Sequence, residues 1–158
     1  MPENSSDRKS LMYRSEFLLD VFRDWVDPVN SVLEIGCGDG RNVDYLNENG
    51  YLAVGIDKNL GTAIEDVPED KYDVIYTMSC LFLIPPEKDW VFPKIARMAR
   101  KYIITIEGEA GDGHKLWARD YAIMFPGFEQ VYYQNNVFNE YGVLRVLKNV
   151  NIPNNSKT

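Results

Sequence analysis

The sequence has few of the residues that metal centres, disulfide frameworks and membrane spans require. Its 158 residues include two cysteines, Cys37 and Cys80, and one histidine, His114. Two thiols are too few for a disulfide framework or a thiolate metal site, so we expect no bound metal and two small buried cysteines. No apolar run approaches the about 18 residues of a membrane span, and residues 1–12 lack the apolar core of a signal peptide. We therefore expect a cytoplasmic protein that does not contact membranes.

Basic residues are also in the minority. Lys and Arg number 17 against 24 Asp and Glu, which gives a formal net charge of -7. This negative charge repels phosphate backbones, so nucleic acid is a poor candidate for a partner. No linker or repeat divides the chain, and its length suits one domain over residues 1–158, with loose tails at 1–9 and 149–158. The sequence leaves the oligomeric state open.

Apolar runs and helical stripes alternate along the chain. Leu18, Val21, Phe22 and Trp25 form an apolar stripe at helical spacing and predict a helix that ends at Pro28. Strands are predicted at residues 31–35, 52–56, 72–83, 102–107, 128–133 and 141–147. Further helices are predicted after residue 40, over residues 87–100 with an interruption at Pro93, and through Trp117, Tyr121 and Met124. This order predicts a three-layer α/β fold with a mostly parallel sheet and an antiparallel C-terminal hairpin. Ligands of such sheets bind beyond the carboxyl ends of the strands.

One such strand end carries three glycines and two acids, in the sequence SVLEIGCGDGRNVDYLNENGYLAVGID at residues 31–57. A glycine turn lets a ligand approach main chain that a Cβ would block, and we expect free N–H groups at Gly36 and Gly38 to face that ligand. Asp57 ends the next strand, where a carboxylate can accept hydrogen bonds from both hydroxyls of a ribose. The pattern therefore predicts a ligand that contains a nucleoside.

The rest of the loop distinguishes among nucleoside ligands. A dinucleotide site has glycine or alanine where this chain has Arg41, and the Gly-Lys-Ser/Thr of a phosphate-binding loop is absent. Glu34 places negative charge at the turn, which favours a cationic ligand over a pyrophosphate. A ribose-bearing cation therefore fits better than NAD, and an NAD-dependent oxidoreductase stays as an alternative.

The motif VLEIGCGDG resembles the E/D-x-G-x-G-x-G motif of class I, Rossmann-like S-adenosylmethionine-dependent methyltransferases, and VGID resembles their second motif. The likeness continues in order over residues 31–147. It implies S-adenosylmethionine as cofactor, with Glu34 holding the methionine ammonium, and methyl transfer to a small-molecule acceptor. The alternative is a non-catalytic or regulatory protein that binds S-adenosylmethionine or S-adenosylhomocysteine. Only 14 residues separate Asp57 from Tyr72, too few for the helix, strand and helix of the full fold, so the edge strand and its helix are predicted to be reduced or missing.

The resemblance implies roles for individual residues. Asp66, or instead Glu65, would accept a hydrogen bond from the adenine amino group. Arg14, together with Tyr13, would fold over the site and pair with the methionine carboxylate. Ser79 would lie where its strand opens toward the sulfonium. The full set of implied cofactor-binding residues is Arg14, Glu34, Gly36, Cys37, Gly38, Asp57, Lys58, Asp66 and Ser79.

Three further residues are candidates for handling the acceptor. Methyl transfer from a sulfonium depends mainly on alignment and exclusion of water, so a base is optional. His114 follows the strand at 102–107 on a glycine-rich loop and is the predicted base. Glu107 and Glu109 could instead bind a cationic acceptor.

Overall fold

The computed structural model describes residues 14–26, 28–109, 116–138 and 141–152. Its centre is a six-stranded sheet in the order β2-β1-β3-β4-β6-β5. The first four strands are parallel, whereas β6 runs antiparallel to both β4 and β5. The strands are β1 (Ser31–Ile35), β2 (Leu52–Ile56), β3 (Tyr72–Met78), β4 (Ala99–Glu107), β5 (Phe128–Asn135) and β6 (Val143–Asn149). The predicted α/β class and antiparallel C-terminal hairpin are confirmed.

Helices cover both faces of the sheet and make it a three-layer structure. Helix α1 (residues 14–21) continues into a π-helical turn at Phe22–Val26, and with α2 (Arg41–Glu48) it packs against one face. Helix α3 (Val91–Met98) covers the other face. Leu18, Phe22, Leu46, Phe92 and Ile95 are fully buried beneath these helices, and burying a side chain of this size contributes roughly 2 kcal/mol. No helix in the described ranges is long and apolar enough to span a membrane.

Among the described residues, no strand pairs with the outer side of β2, as predicted. Residues 57–71 contain one 3-10 turn, Lys58–Leu60, and otherwise turns and irregular backbone. Strand β2 is therefore the edge of the sheet. Asn47 of α2 covers part of this edge, because its side-chain amide accepts from the Ala53 N–H at 2.7 Å and donates to the Ala53 carbonyl at 3.0 Å. This pairing occupies backbone groups that would otherwise invite another strand.

The helix predicted through Trp117, Tyr121 and Met124 is absent, and residues 116–127 form turns and bends. The Asp120 carboxylate accepts from the Ala122 N–H at 3.0 Å, and such local bonds compete with helical ones. Tyr121 is nevertheless buried in the core. The apolar spacing marked an inward-facing segment, but it did not determine the backbone conformation.

The segment before β4 also differs from its prediction. A 3-10 turn at Pro86–Lys88 precedes α3, which continues past Pro93. Proline is tolerated in the first helical turn because the N–H groups there have no intrahelical acceptor. The predicted interruption at Pro93 is therefore wrong, and β4 begins at Ala99, three residues before the predicted Tyr102.

Candidate functional site

The glycine loop joins β1 to α2 at the carboxyl end of the parallel strands. Gly36, Gly38 and Gly40 have φ angles of +73°, +57° and +84°, in the left-handed region that other residues rarely adopt. A Cβ at Gly36 would lie 2.7 Å from the Cβ of Cys80, whereas a Cβ at Gly38 or Gly40 would have no heavy atom within 4 Å. Gly36 thus packs tightly against the loop after β3. The other two glycines leave one side of the main chain open to an approaching ligand.

Internal hydrogen bonds hold the shape of this loop. The N–H groups of Gly36 and Cys37 donate to the Ile56 carbonyl at 2.8 and 3.0 Å, and the Gly38 N–H donates to the Asp57 carboxylate at 2.9 Å. The expectation that the N–H groups of Gly36 and Gly38 are free for a ligand is therefore wrong. They instead fasten the loop to the end of β2.

Asp57 keeps acceptor capacity after these contacts. Its Oδ2 accepts from Gly38 N–H and its Oδ1 accepts from Asn59 N–H at 2.8 Å. An ionised carboxylate has about four acceptor positions, so two remain for other donors. The side chain is half-buried at the end of β2, and Lys58 follows it on the exposed 3-10 turn. The arrangement suits the two hydroxyls of a ribose.

Glu34 is the buried acid of the loop, with 3% of its surface exposed. The Tyr76 hydroxyl donates to its Oε1 at 2.9 Å from the neighbouring position on β3. Burial raises the pKa of Glu34 to about 7, although hydrogen bonds from Tyr76 and Asn42 act in the opposite direction. Asn42 in turn accepts from the Ser15 hydroxyl of α1 at 2.7 Å. Glu34 therefore changes its charge near neutral pH and is linked to α1 through Asn42.

The loop after β3 is held by a buried carboxylate. Ser79 has a φ of +54°, which is strained for a residue other than glycine, and its N–H donates to the Ile106 carbonyl. The next two N–H groups, of Cys80 and Leu81, donate to the Glu107 carboxylate at 2.9 and 3.1 Å. Glu107 is fully buried. It anchors this loop, and its role toward a cationic acceptor stays a prediction.

Glu109 also forms an ion pair within the protein. It is 6% exposed and forms two hydrogen bonds of 2.8 Å with the Arg145 guanidinium. This contact raises the pKa of Arg145, and such paired geometry is among the stronger ion pairs. Both acids predicted for the acceptor side therefore have protein partners.

A family model described as "Methyltransferase domain" matches residues 11–103, which is more than half of the chain. The chain belongs to this methyltransferase family. The predicted family is confirmed. No curated protein matches the sequence.

Solved structures share the fold of this methyltransferase at low sequence identity. A protein from Pyrococcus horikoshii OT3 is 17% identical with a TM-score of 0.72, covering 92% of each chain. An amino pentose methyltransferase of calicheamicin biosynthesis from Micromonospora echinaspora, with S-adenosylmethionine bound, is 9% identical with a TM-score of 0.70, covering 94% of this chain and 98% of its own. Magnesium protoporphyrin IX methyltransferase from Synechocystis PCC 6803, with S-adenosylhomocysteine bound, is 14% identical with a TM-score of 0.68, covering 94% and 89%. These likenesses confirm the Rossmann-like methyltransferase fold.

The methyltransferase brings most of the predicted cofactor residues to one end of its sheet. Those at the carboxyl ends of β1, β2 and β3 are Glu34, Gly36, Cys37, Gly38, Asp57 and Ser79. Cys37 is half-buried beside Gly55, where an added Cβ would lie 2.6 Å from its Sγ. The Arg14 guanidinium carbon lies 4.8 Å from the centre of the Phe138 ring. Phe138 belongs to the connection between β5 and β6. His114 and Tyr13 lie outside the described residues.

The segment predicted to border the adenine is anchored by a lysine of α3. The Lys94 ammonium of α3 donates to the carbonyls of Ile64 and Glu65 at 2.9 and 3.2 Å. The Thr62 N–H donates to the Asp57 carbonyl at 3.2 Å. Asp66 is exposed on this segment. The role of Asp66, or of Glu65, toward adenine stays a prediction.

Sequence reasoning missed Tyr76, Asn42 and Ser15 in the methyltransferase site. Tyr76 belongs to a continuous apolar run, which predicts a buried strand but assigns no role to one hydroxyl. The register that sets Tyr76 beside Glu34 is known only from the structure, so the one signal in the sequence was that a buried acid needs a hydrogen-bond donor. Asn42 and Ser15 are separated by 27 residues, so only the fold places them together.

Proposed function

We propose that this protein transfers a methyl group from S-adenosylmethionine to a small-molecule acceptor. Membership of the methyltransferase family supports the reaction. The relatives determined with S-adenosylmethionine or S-adenosylhomocysteine support the donor. The observation that carries the proposal is the Asp57 carboxylate, which directly follows β2, keeps two acceptor positions and accepts from the Gly38 N–H beside the open side of the glycine loop.

The charges around the loop support a cationic nucleoside. Glu34, Asp39 and Asp57 lie close enough that the two aspartates raise the pKa of Glu34. A ligand that brings an ammonium and a sulfonium would relieve this repulsion and favour the ionised form of Glu34. A pyrophosphate would add to the repulsion, which disfavours NAD.

The reaction needs little acid–base chemistry from the chain. The methyl group moves in line from sulfur to the acceptor, so positioning and exclusion of water supply much of the acceleration. Glu107 would act by fixing the main chain of the loop after β3. His114 stays the predicted base for an acceptor that must lose a proton.

Two assays test the proposal. Isothermal titration with S-adenosylmethionine and with NAD should give saturable heat for the first and none for the second. Release of S-adenosylhomocysteine should then be measured over a panel of small hydroxyl, amine and carboxylate acceptors, with protein omitted as the control. Binding of NAD alone would contradict the assignment. Tight binding of S-adenosylmethionine with no product from any acceptor class would contradict methyl transfer to a small molecule.

A further inference from the structure

Of the two residues that flank Glu34 in the sheet, only Tyr76 has a side chain. Glu34 is in register with Gly55 of β2 on one side and with Tyr76 of β3 on the other. The space beside Gly55 is taken by Cys37, because a Cβ added to the glycine would lie 2.6 Å from the Cys37 Sγ. Tyr76 is therefore the residue of the neighbouring strands that meets the Glu34 carboxylate directly.

The Tyr76 hydroxyl reaches this carboxylate from a ring that packing holds in place. Tyr76 is fully buried, and its ring stands edge-on to that of Phe22 with the ring centres 5.8 Å apart. Its hydroxyl donates to the Glu34 Oε1 at 2.9 Å. A hydrogen bond to an ionised acceptor is stronger than one between two neutral groups. The bond therefore sets the orientation of the Glu34 carboxylate.

The surroundings of Glu34 favour a cation on the ligand. After burial, which is the largest cause, the pKa of Glu34 responds to hydrogen bonds from Tyr76 and Asn42 and to the negative charges of Asp39 and Asp57. The donors stabilise the ionised form, whereas the aspartates oppose it. Because these aspartates of the loop act on the buried carboxylate, a positive group bound at the loop acts on it too and offsets them. A cation there would join Tyr76 and Asn42 in stabilising the charge of Glu34.

We propose that Tyr76 is a positioning residue, whose hydroxyl fixes the Glu34 carboxylate for the ammonium of the cofactor's amino acid, directly or through one water. The inference rests on the proposed function and adds to it a residue that touches no ligand but determines the affinity for the amino acid part. A purely structural pair would behave differently. Its loss would lower stability and leave the affinities of ligands with and without the ammonium in the same ratio.

The test measures the affinity for S-adenosylhomocysteine by titration calorimetry in the wild type, Tyr76→Phe, Glu34→Gln and the double variant. Phenylalanine keeps the packed ring and removes only the hydroxyl. Tyr76→Phe should weaken binding by about tenfold, because one hydrogen bond to a charged group is lost. In the Glu34→Gln background the same change should weaken binding by less than about twofold, because the two residues act as one unit. Tyr102→Phe, at a half-buried tyrosine of β4, is the matched control and should leave the affinity unchanged.

A second ligand, 5′-methylthioadenosine, has the nucleoside and the sulfur but no ammonium, so Tyr76→Phe should leave its affinity unchanged. Equal weakening of both ligands by Tyr76→Phe, equal weakening in both backgrounds, or unchanged binding of S-adenosylhomocysteine to Tyr76→Phe would overturn the inference while leaving cofactor binding intact. If 5′-methylthioadenosine does not bind, the comparison of the two backgrounds decides by itself. Failure of S-adenosylhomocysteine to bind the wild-type protein would instead overturn the proposed function. Thermal unfolding checks that each variant is folded.

Discussion

The two halves of the cleft use their acids in opposite ways. In the donor half, formed by residues 34–40 and Asp57, the Asp57 carboxylate keeps acceptor positions and stands beside open main chain. In what we propose to be the acceptor half, residues 79–83, 107–109 and 116–119, the acids Glu107 and Glu109 bind the protein itself. Asp57 in the first half keeps acceptor positions for a ligand, whereas Glu107 and Glu109 in the second half hold other parts of the protein in place.

Single side chains hold several segments of this small chain in place. The edge strand and its helix are missing, and the loop after β3 passes through a strained residue at Ser79. Glu107 supplies the acceptors that fix this loop, and Lys94 and Asn47 make equivalent bonds to the segment at 64–65 and to the edge of β2. The buried Glu107 and Lys94 and the exposed Asn47 thus each hold one segment with a single side chain.

The largest effect is expected from breaking the acceptor half at Glu107. Glu107→Leu leaves the N–H groups of Cys80 and Leu81 without their acceptor in a buried position, which should cost about 4 kcal/mol of unfolding free energy. Glu107→Gln keeps one acceptor oxygen and should cost about half as much. Urea unfolding measures both values. A loss below about 1 kcal/mol for Glu107→Leu would refute the anchoring role.

The junction of the two halves is tested at Gly36. Gly36→Ala combines a strained φ of +73° with a Cβ placed 2.7 Å from the Cβ of Cys80, and we expect a loss of about 3 kcal/mol of stability. Gly50→Ala is the matched control, because Gly50 has a φ of +95° and no heavy atom within 4 Å of an added Cβ. It should cost about 1 kcal/mol. Equal losses in urea unfolding would show that the contact with Cys80 is unimportant.

A smaller effect is expected from the pH dependence of the donor half. The folded-state pKa of Glu34 is about 7 against an ordinary value of 4.5, so the folded protein holds a proton that the unfolded chain has already released. The stability from this group is present below about pH 4.5 and is lost as the pH rises through about 7, with a total change of roughly 2 kcal/mol between pH 5 and 8.

Two variants isolate this contribution in urea unfolding across that range. Glu34→Gln should remove the decline attributed to Glu34. Tyr76→Phe should move it to higher pH, because the Tyr76 hydrogen bond lowers the pKa of Glu34. An unchanged pH profile in Glu34→Gln would assign the decline to other groups.

The donor half was the more predictable from sequence because its parts are close in the chain. The glycine loop and Asp57 lie within one strand-turn-helix-strand unit, and the short spacing from Asp57 to Tyr72 was enough to predict the missing edge strand. The hydrogen bonds of the loop were not predictable, since periodicity says nothing about which N–H groups meet the end of β2.

The contacts of the proposed acceptor half could not be predicted from the sequence. Glu107 contacts residues that precede it by 26 and 27 positions, and Glu109 meets Arg145 across 36 positions. The spacing at residues 117–124 predicted a helix, because it reports burial and cannot distinguish a helix from successive turns.

The central claim is that Asp57 binds the sugar of the cofactor, and one titration tests it most directly. S-adenosylhomocysteine should bind the wild-type protein at one site, and Asp57→Ala should weaken its affinity by at least about a hundredfold, which is the loss of two hydrogen bonds to a charged group. Asp44→Ala, which removes an exposed acid from the first turn of α2, should leave the affinity unchanged. Equal affinity of wild-type and Asp57→Ala protein, or no binding to the wild type, would contradict the account.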